Sequence, residues 1–234
     1  MVDFHSHILP EMDDGAESVE TSLRMLRESA RQGVNVIFAT SHFYADQEDP
    51  EHFLARRAAA YERLRAEQEK SVQVYPDIYL GAEVLYFPGM SGAEELKMLT
   101  LGSTNCLLVE PPMMRWTDTM LDEIEQTGAN LSCVPVIAHI DRYMRMLGDN
   151  MLFDRVNGRR ILIQVNASFF IHEDSRQIAL KYLSEGRIHL MGSDCHNMTD
   201  RAPNLGEAAA VIRKAGVLKP FSDFNKRIYY FLGM

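Results

Sequence analysis

The sequence predicts an α/β fold built as a closed or nearly closed barrel of about seven strand–helix units. Short apolar runs alternate with longer amphipathic segments along the whole chain, which is typical of a parallel sheet covered by helices. The chain has 234 residues, a length at which single α/β barrels are common. We find no repeat, low-complexity tract or linker, so one domain is expected over residues 1–234. An open, doubly wound sheet is the alternative.

Seven apolar runs are the candidate strands. They are rich in Val, Ile and Leu and short enough to be buried strands of a parallel sheet. In chain order they are Val2–Phe4, Val34–Ala39, Ile78–Leu80, Cys106–Val109, Val134–Ala138, Ile161–Val165 and Ile188–Met191.

Helical periodicity fills the intervals between these runs. Ser18 is expected to cap the first helix and Gly33 to end it. The apolar face of that helix is predicted to consist of Val19, Leu23, Leu26 and Ala30. Further helices are predicted at Glu51–Lys70, Thr117–Thr127, Asp174–Glu185, Gly206–Ala215 and Asp223–Leu232. The first of these would bury Leu54, Ala58, Tyr61 and Leu64.

The composition argues against several classes of protein. The net charge is −9 at pH 7, so no nucleic-acid partner is expected, because phosphate backbones select basic surfaces. Cys106, Cys133 and Cys195 form no C-x-x-C pair, which favours free thiols in a reducing compartment. No signal peptide and no membrane-spanning apolar run is apparent. A cytoplasmic protein that does not insert into a membrane is therefore expected.

Side chains of the metal-binding type follow the apolar runs one after another. The first run leads into "HSH" and "DDG", and later runs lead into "TSH", "GAE", "VE", "AHIDR", "VNAS" and "GSDCH". The carboxyl ends of parallel barrel strands share one face, so these residues should converge there. His, Asp and Glu bind Mn, Zn or Fe, and the lack of clustered cysteines argues against a structural zinc. Each motif alone is weak, but their succession predicts a metal site.

The motifs, taken in order, resemble the PHP (polymerase and histidinol phosphatase) superfamily. More narrowly, they resemble its bacterial capsule-type protein-tyrosine phosphatases, the CpsB/CapC group. The opening "DFHSHILPEMDDG" is the most specific match, and the resemblance extends from about Val2 to Arg201. It implies a distorted (β/α)7 barrel, the PHP fold, with three divalent ions at the strand ends. Manganese is the metal expected from the resemblance, with iron or zinc as alternatives.

The resemblance also implies how nine ligands would be shared among the three ions. The first ion would be held by His5, His7, Glu83 and Asp194. Glu83 would bridge to the second ion, whose other ligands would be Glu110 and His139. The third ion would be held by Asp14, His42 and His196. Every one of these positions carries a competent ligand, so an active rather than a vestigial site is implied.

Four residues are assigned catalytic roles on the same basis. Arg142 and Arg201 match arginines that face the phosphate, and Glu83 and His42 would act within the metal site. His42 and Asp141 are the candidates for donating a proton to the leaving group. The chain reads "HIDR" where the family usually has His-Pro-Glu-Arg, which puts the geometry of this loop and the preferred substrate in question.

The expected reaction is hydrolysis of a phosphate monoester, in which a metal-activated hydroxide attacks phosphorus. Phenolate, with a pKa of about 10, leaves more readily than an aliphatic alkoxide, so phosphotyrosine needs less help from an acid. The resemblance implies a protein-tyrosine phosphatase whose substrate is the tyrosine-rich tail of a bacterial tyrosine autokinase. Such an enzyme would serve capsule or exopolysaccharide synthesis.

Other functions remain open at this point. Within the superfamily, the substrate could be a small phosphate such as histidinol phosphate, or a phosphodiester. An amidohydrolase-like metalloenzyme shares the His-x-His motif, but no lysine follows an apolar run to bridge its metals. Cys195 and Arg201 fit the C-x5-R loop of cysteine-dependent phosphatases, although that loop here contains Asp200 and no glycine. A non-catalytic binding protein is disfavoured by the intact ligand set.

Overall fold

Parallel strands form the centre of the molecule, in a computed structural model that describes residues 1–148 and 151–217 together with residue 226. Every strand ladder is parallel, as the alternation of strands and helices requires. The strands are β1 (Val2–Ser6), β2 (Val36–Ala39), β3 (His42–Phe43), β4 (Asp77–Leu80), β5 (Glu83–Leu85), β6 (Cys106–Glu110), β7 (Val134–Ile137), β8 (Leu162–Asn166) and β9 (Leu190–Gly192).

The strands divide into two sheets because two of them are interrupted. One sheet has the order β1-β2-β4 and the other β3-β5-β6-β7-β8-β9. Strand β2 continues as β3 after a break of two residues, and strand β4 continues as β5 after a break of the same length. The two breaks lie opposite each other. Ala39 pairs with Leu80 before the breaks, and His42 pairs with Glu83 after them. All seven predicted strands are confirmed, but the sequence did not indicate these breaks.

The sheet curls, so that its last strand comes to lie near its first. Ser6 at the end of β1 and Cys195 beyond β9 form an isolated parallel bridge. The amide of His7 donates to the carbonyl oxygen of Cys195 at 2.9 Å, and the amide of Asp194 donates to that of His5 at 2.7 Å. The "HSH" and "GSDCH" motifs, almost two hundred residues apart, therefore lie side by side.

Eight helices accompany the strands within the described residues. Five were predicted to within a few residues, and the short helices α4, α5 and α6 were not. The predicted helix Asp223–Leu232 lies outside the described residues. The helices are α1 (Val19–Arg31), α2 (Pro50–Gln68), α3 (Asp118–Leu131), α4 (Ile140–Leu147), α5 (Leu152–Val156), α6 (Ser168–Ile171), α7 (Glu173–Ser184) and α8 (Leu205–Lys214).

Helix α1 begins as its sequence predicts, but its buried face differs. The Ser18 hydroxyl accepts a hydrogen bond from the Thr21 amide at 3.1 Å, and Gly33 follows the helix with a φ of 88°. Of the four residues predicted to be buried, only Leu26 is fully buried. The buried positions are Ser22, Met25, Leu26 and Ser29. Two of the buried residues are serines, which a search for apolar residues cannot indicate. The hydroxyl of Ser22 is satisfied inside the helix, where it donates to the Ser18 carbonyl oxygen at 3.1 Å.

Helix α2 is also rotated relative to its prediction, and a buried cation is the reason. The guanidinium of Arg57 donates to the Gly81 carbonyl oxygen at 2.7 Å and lies 5.6 Å from the centre of the Phe53 ring. Gly81 lies in one of the strand breaks, so this arginine satisfies a carbonyl that has left the ladder. The helix buries Phe53, Arg57, Ala60 and Leu64, and only Leu64 was predicted.

Among the described residues, no helix is both long enough and apolar enough to cross a membrane. The apolar side chains instead form one contiguous core in and around the curled sheet. The side chains described next lie at the carboxyl ends of the strands and are buried although polar.

Candidate metal centre and active site

Each predicted ligand lies at or just beyond the carboxyl end of a strand, and all of them converge. His5 and His7 come from β1, where residues spaced two apart share one face. Within the part of the chain that the structure describes, three groups of residues could hold a metal ion, each with one ligand atom per residue within 4.8 Å of the others. They are His7, Asp14, His42 and His196; His5, His7 and Glu83; and His42, Glu83 and Glu110.

These groups overlap with the predicted sets but do not coincide with them. His7, predicted as a ligand of the first ion, also lies close to the predicted ligands of the third. His42, predicted as a ligand of the third ion, also lies close to Glu83 and Glu110, which were predicted to hold the second. His139 and Asp194 fall outside the three groups but remain close. His139 Nε2 lies 3.4 Å from Glu110 Oε1, and Asp194 Oδ1 lies 3.7 Å from His5 Nε2. The structure thus brings the predicted ligands together, but it groups them differently from the predicted sets.

Glu83 is the centre of this cluster. Its side chain is 1% exposed, and imidazole nitrogens surround both of its oxygens. Oε2 lies 3.0 Å from His5 Nε2, 3.3 Å from His7 Nε2 and 3.2 Å from His42 Nδ1. Oε1 lies 2.9 Å from His139 Nε2. A carboxylate with four nitrogens around it is placed to bridge two cations.

Two of the candidate ligands have a strained backbone. His139 has a φ of 30° and Asp194 a φ of 54°, in the left-handed region that non-glycine residues rarely adopt. Gly192 makes room for a third: a Cβ atom added to it would lie 2.4 Å from the Cβ atom of His5. These features position side chains at the strand ends at a cost in conformational energy.

Several supporting residues were missed by sequence analysis. Asp13 Oδ2 lies 2.8 Å from His7 Nδ1 and accepts from the His42 amide at 2.9 Å. Gln164 Oε1 lies 3.3 Å from His5 Nδ1 and accepts from the His139 amide at 2.6 Å. Such partners fix the orientation of a ligating imidazole. Their signal in the sequence was a polar residue next to or inside a strand, as with "IQV" for Gln164.

The pKa values of the imidazoles reflect the carboxylates around them. Burial opposes the protonation of His7, but Asp13 and Glu83 outweigh it and raise its pKa. Burial likewise opposes protonation of His139, but the hydrogen bonds that its imidazole can donate to Glu110 and Glu83 raise its pKa to about 9. Burial lowers the pKa of His42, and burial together with His7 lowers that of His196 to about 3. The negative charge of the cluster therefore attracts cations.

The ligand atoms fit a metal ion because they crowd together without well-formed hydrogen bonds. His42 Nδ1, His196 Nε2 and Glu83 Oε1 are buried and form no hydrogen bond of good geometry within the described part of the chain, although each lies 2.9 to 3.3 Å from a ligand atom of a neighbouring residue. Buried polar atoms normally form well-aligned hydrogen bonds, so such a cluster suits a cation that several of them would share. Unprotonated imidazole nitrogens and carboxylate oxygens are ligands suited to intermediate divalent metals.

Arg142 and Arg201 lie beside this cluster and share one carboxylate. Arg142 Nη2 donates to Asp194 Oδ2 and Arg201 Nη2 donates to Asp194 Oδ1, both at 2.8 Å. Their side chains are 25% and 32% exposed, so both guanidinium groups also reach solvent. Both predicted arginines are thus at the site, where they can meet an incoming anion.

The comparisons with known proteins agree with this geometry. The model of the family "Capsular polysaccharide synthesis, CpsB/CapC" matches residues 1–220. The chain belongs to the CpsB/CapC family. Its similarity to proteins of that family covers almost the full length on both sides. Tyrosine-protein phosphatase CpsB of Streptococcus agalactiae is 32% identical over 225 residues, which are 91% of this chain and 89% of the relative.

Two further comparisons place this CpsB/CapC chain among related phosphatases. Tyrosine-protein phosphatase YwqE of Bacillus subtilis is 28% identical over 222 residues, covering 92% of this chain and 84% of YwqE. The crystal structures of YwqE and of CpsB from Streptococcus pneumoniae are described as those of unique metal-dependent tyrosine phosphatases. The solved chain from that work superimposes with a TM-score of 0.75 at 25% identity, covering 92% of this chain and 87% of the other.

The C-x5-R segment of this CpsB/CapC chain is not shaped to hold phosphate. The amides of His196 and Asn197 both donate to the Arg201 carbonyl oxygen, at 2.9 and 3.3 Å, so they are turned into the loop. A cysteine-dependent phosphatase would aim such amides at the phosphate. Cys195 is fully buried, and burial raises the pKa of its thiol. A thiolate nucleophile is therefore disfavoured here.

Proposed function

We propose that the chain is a metal-dependent protein-tyrosine phosphatase acting in capsule or exopolysaccharide synthesis. One observation carries this proposal: nine metal-ligand side chains and two arginines converge at the strand ends of a CpsB/CapC protein. Its relatives are named tyrosine-protein phosphatases, and the superimposed structure is described as metal-dependent. The buried nitrogen and oxygen atoms that crowd together in the cluster support the same activity.

We propose three divalent ions, of which manganese is the expected metal. The three overlapping groups of candidate ligands support that number. The ligands would be His5, His7 and Asp194 for one ion, Glu110 and His139 for the second, and Asp14, His42 and His196 for the third, with Glu83 between the first two. Bound divalent ions would supply positive charge for the phosphoryl oxygens and lower the pKa of water towards neutrality.

The protein's own groups would then orient the substrate. The guanidinium groups of Arg142 and Arg201 can each donate two hydrogen bonds to phosphoryl oxygens, which fixes the phosphate relative to the ligand cluster. Burial keeps the imidazole of His42 unprotonated near neutral pH, which suits it to bind a cation rather than donate a proton. A phenolate leaving group, with a pKa of about 10, tolerates the lack of a strong acid.

We propose that the curled sheet is a distorted seven-stranded PHP barrel within a single domain over residues 1–234. Two features support it: β3 and β5 continue β2 and β4 in register, and the Ser6–Cys195 bridge joins the two ends. Three free cysteines support a reducing, cytoplasmic compartment. The substrate proposed from the resemblance is the phosphotyrosine tail of a bacterial tyrosine autokinase.

Chelation and a substrate panel would test this function. After exhaustive chelation we expect hydrolysis of phosphotyrosine peptides to be lost, because the carboxylates would then repel the phosphate. Added Mn²⁺ should restore it, and elemental analysis should find more than one divalent ion per chain. Phosphotyrosine peptides should be hydrolysed faster than phosphoserine peptides and histidinol phosphate. Full turnover after chelation would refute the metal mechanism, and a preference for histidinol phosphate would reassign the substrate.

The substitution Cys195→Ser distinguishes the two phosphatase chemistries. We expect kcat/KM to stay within about threefold of wild type, because the buried thiol has a raised pKa and contributes no nucleophile. Iodoacetamide should likewise leave turnover intact. The measurement is phosphotyrosine peptide hydrolysis at equal metal content. A serine variant that is inactive although it is folded and carries its metal would mean that Cys195 takes part in the reaction.

A further inference from the structure

A second cavity lies beside the metal centre, at the same end of the sheet. It has a volume of about 400 Å³ and is enclosed by α4 on one side and by α6 and α7 on the other. Its apolar lining includes Met144, Phe169 and Ile178, and its polar lining includes Asp141. None of the predicted metal ligands lines it, so it is a separate site.

Asp141 is a buried carboxylate with spare capacity for a ligand. The residue is 9% exposed, and it accepts a hydrogen bond from the Asn166 amide at Oδ1 over 2.9 Å. Its own backbone amide also stabilises the ionised form, so both known donors come from the backbone. Arg145 lies one helical turn further along α4 and also lines the cavity. Because Asp141 lines the cavity and a carboxylate can accept several hydrogen bonds, it can also accept one from a bound side chain.

One residue connects this cavity to the metal centre. The Asn166 backbone amide donates to Asp141, whereas the Asn166 side-chain amide donates to Asp194 Oδ2 at 2.8 Å. Asp194 is also the carboxylate that both predicted phosphate-binding arginines contact. Asn166 therefore lies between the two sites and contacts a carboxylate of each. An extended peptide advances about 3.3 Å per residue, so a substrate with its phosphate at the arginines would reach the cavity within a few residues.

The chemistry of the lining favours one kind of side chain. Among the described residues that line the cavity, the carboxylates are those of Asp141 and Asp174, and the basic groups are the guanidinium of Arg145 and the imidazole of His172. The apolar floor would cover the methylene stem of a long basic side chain, and the Asp141 carboxylate would pair with its charged end. An acidic side chain would meet two carboxylates, and a short apolar one would leave Asp141 unpaired.

We propose that this cavity is a specificity subsite for a lysine or arginine side chain located a few residues from the phosphotyrosine of the protein substrate. The proposal rests on the proposed phosphatase function, which supplies the phosphotyrosine. It assigns substrate recognition to Asp141, which lines the cavity. It gives the "HIDR" segment two roles, since Arg142 faces the metal centre and Asp141 faces the subsite.

Paired peptides would test the subsite. A single lysine is moved through successive positions on either side of the phosphotyrosine, and each peptide is compared with its norleucine counterpart, which keeps the stem without the charge. At one position the wild-type protein should hydrolyse the lysine peptide with kcat/KM about tenfold higher, the effect expected of one charge-assisted hydrogen bond. The ratio comes from one protein preparation, so any inactive fraction cancels.

Matched variants show whether Asp141 is responsible. In Asp141→Asn the lysine-to-norleucine ratio should fall to about one, whereas Glu173→Gln should retain it. Glu173 is exposed in the first turn of α7 and outside the cavity lining, so it controls for the loss of a charge. As a second variant, Gln177→Trp should fill the exposed edge of the cavity and also reduce the ratio.

The outcomes separate the two proposals. Equal hydrolysis of the lysine and norleucine peptides at every position would overturn the subsite and leave the phosphatase function intact. A preference that survives in Asp141→Asn would also overturn it. If the wild-type protein hydrolysed no phosphotyrosine peptide, the proposed function would fail and the subsite with it.

Discussion

The substitution Glu83→Gln should lower kcat/KM by about a thousandfold or more, the largest effect expected of any single change. Both Glu83 oxygens face imidazole nitrogens of the candidate ligands, at 2.9 to 3.3 Å. A glutamine has the same shape, but it has no charge and its amide nitrogen would point a donor at the cluster. Neighbouring cations would then lose the carboxylate that offsets their repulsion. Bound metal, measured by elemental analysis, should fall with the activity.

Stability should fall as well. Burial opposes ionisation of Glu83, but the imidazoles of His5, His139 and His7 outweigh it and hold the pKa of this carboxylate well below its usual range, so folding favours the ionised form. The thermal midpoint of Glu83→Gln measured without metal should therefore lie below that of wild type, because the surrounding imidazoles lose their partner. The matched control is Glu28→Gln, which removes a carboxylate paired with Arg31 on the surface of α1 and should leave kcat/KM unchanged. A Glu83→Gln protein with normal metal content and activity within tenfold of wild type would contradict the central role of this residue.

Loss of Arg142 or Arg201 should be the next most damaging change. The chain has a net charge of −9, so its average field repels a phosphorylated substrate, and local cations must reverse that repulsion. Each guanidinium donates to Asp194 at 2.8 Å and is partly exposed, so each can also meet a phosphoryl oxygen. Alanine at either position should lower kcat/KM about ten- to a hundredfold, the value of one charge-assisted contact.

The controls for the arginines are available in the chain. Arg155→Ala should leave kcat/KM unchanged, because Arg155 is also 25% exposed and pairs with Asp118 away from the cluster. Lysine at position 142 or 201 should recover only part of the activity, since a point charge cannot replace the two-pronged contact. Metal content should stay normal in all these variants. Wild-type kcat/KM in both alanine variants would show that the arginines serve only to neutralise Asp194.

The sequence predicted which side chains converge because its signal is local. A ligand-type side chain directly after an apolar run is visible within a few positions, and the barrel face then brings those positions together. Gln164 and Asp13 were missed because a supporting side chain needs only one hydrogen bond, which any polar residue can provide. Which ligands would share an ion depends on the direction in which each side chain points, and the spacing of these residues along the sequence does not determine that direction.

The buried faces of α1 and α2 differ from those predicted by the spacing of apolar residues. Arg57 is not one of the four residues predicted to form the buried face of α2. It is buried because the strand break exposes the Gly81 carbonyl oxygen, which needs a donor. That break lies 24 residues further along the chain, beyond the range of helical periodicity. The contact between Arg57 and Gly81 therefore determines which face of α2 is buried. Most of the buried residues lie one position before those that the apolar pattern predicts.

The left-handed backbones of His139 and Asp194 have a consequence for how this protein can change. Each left-handed residue costs about 1–3 kcal/mol of conformational free energy, which favourable interactions elsewhere in the fold must offset. A domain with a stability of about 5–15 kcal/mol has room for few such positions. The substitutions that relax these two positions most easily, to glycine, also remove a candidate ligand. A substitution that raises the stability of the fold at these two positions therefore also weakens the candidate metal site. If selection for the reaction were lost, substitutions at His139 and Asp194 that relieve this strain would be expected to accumulate.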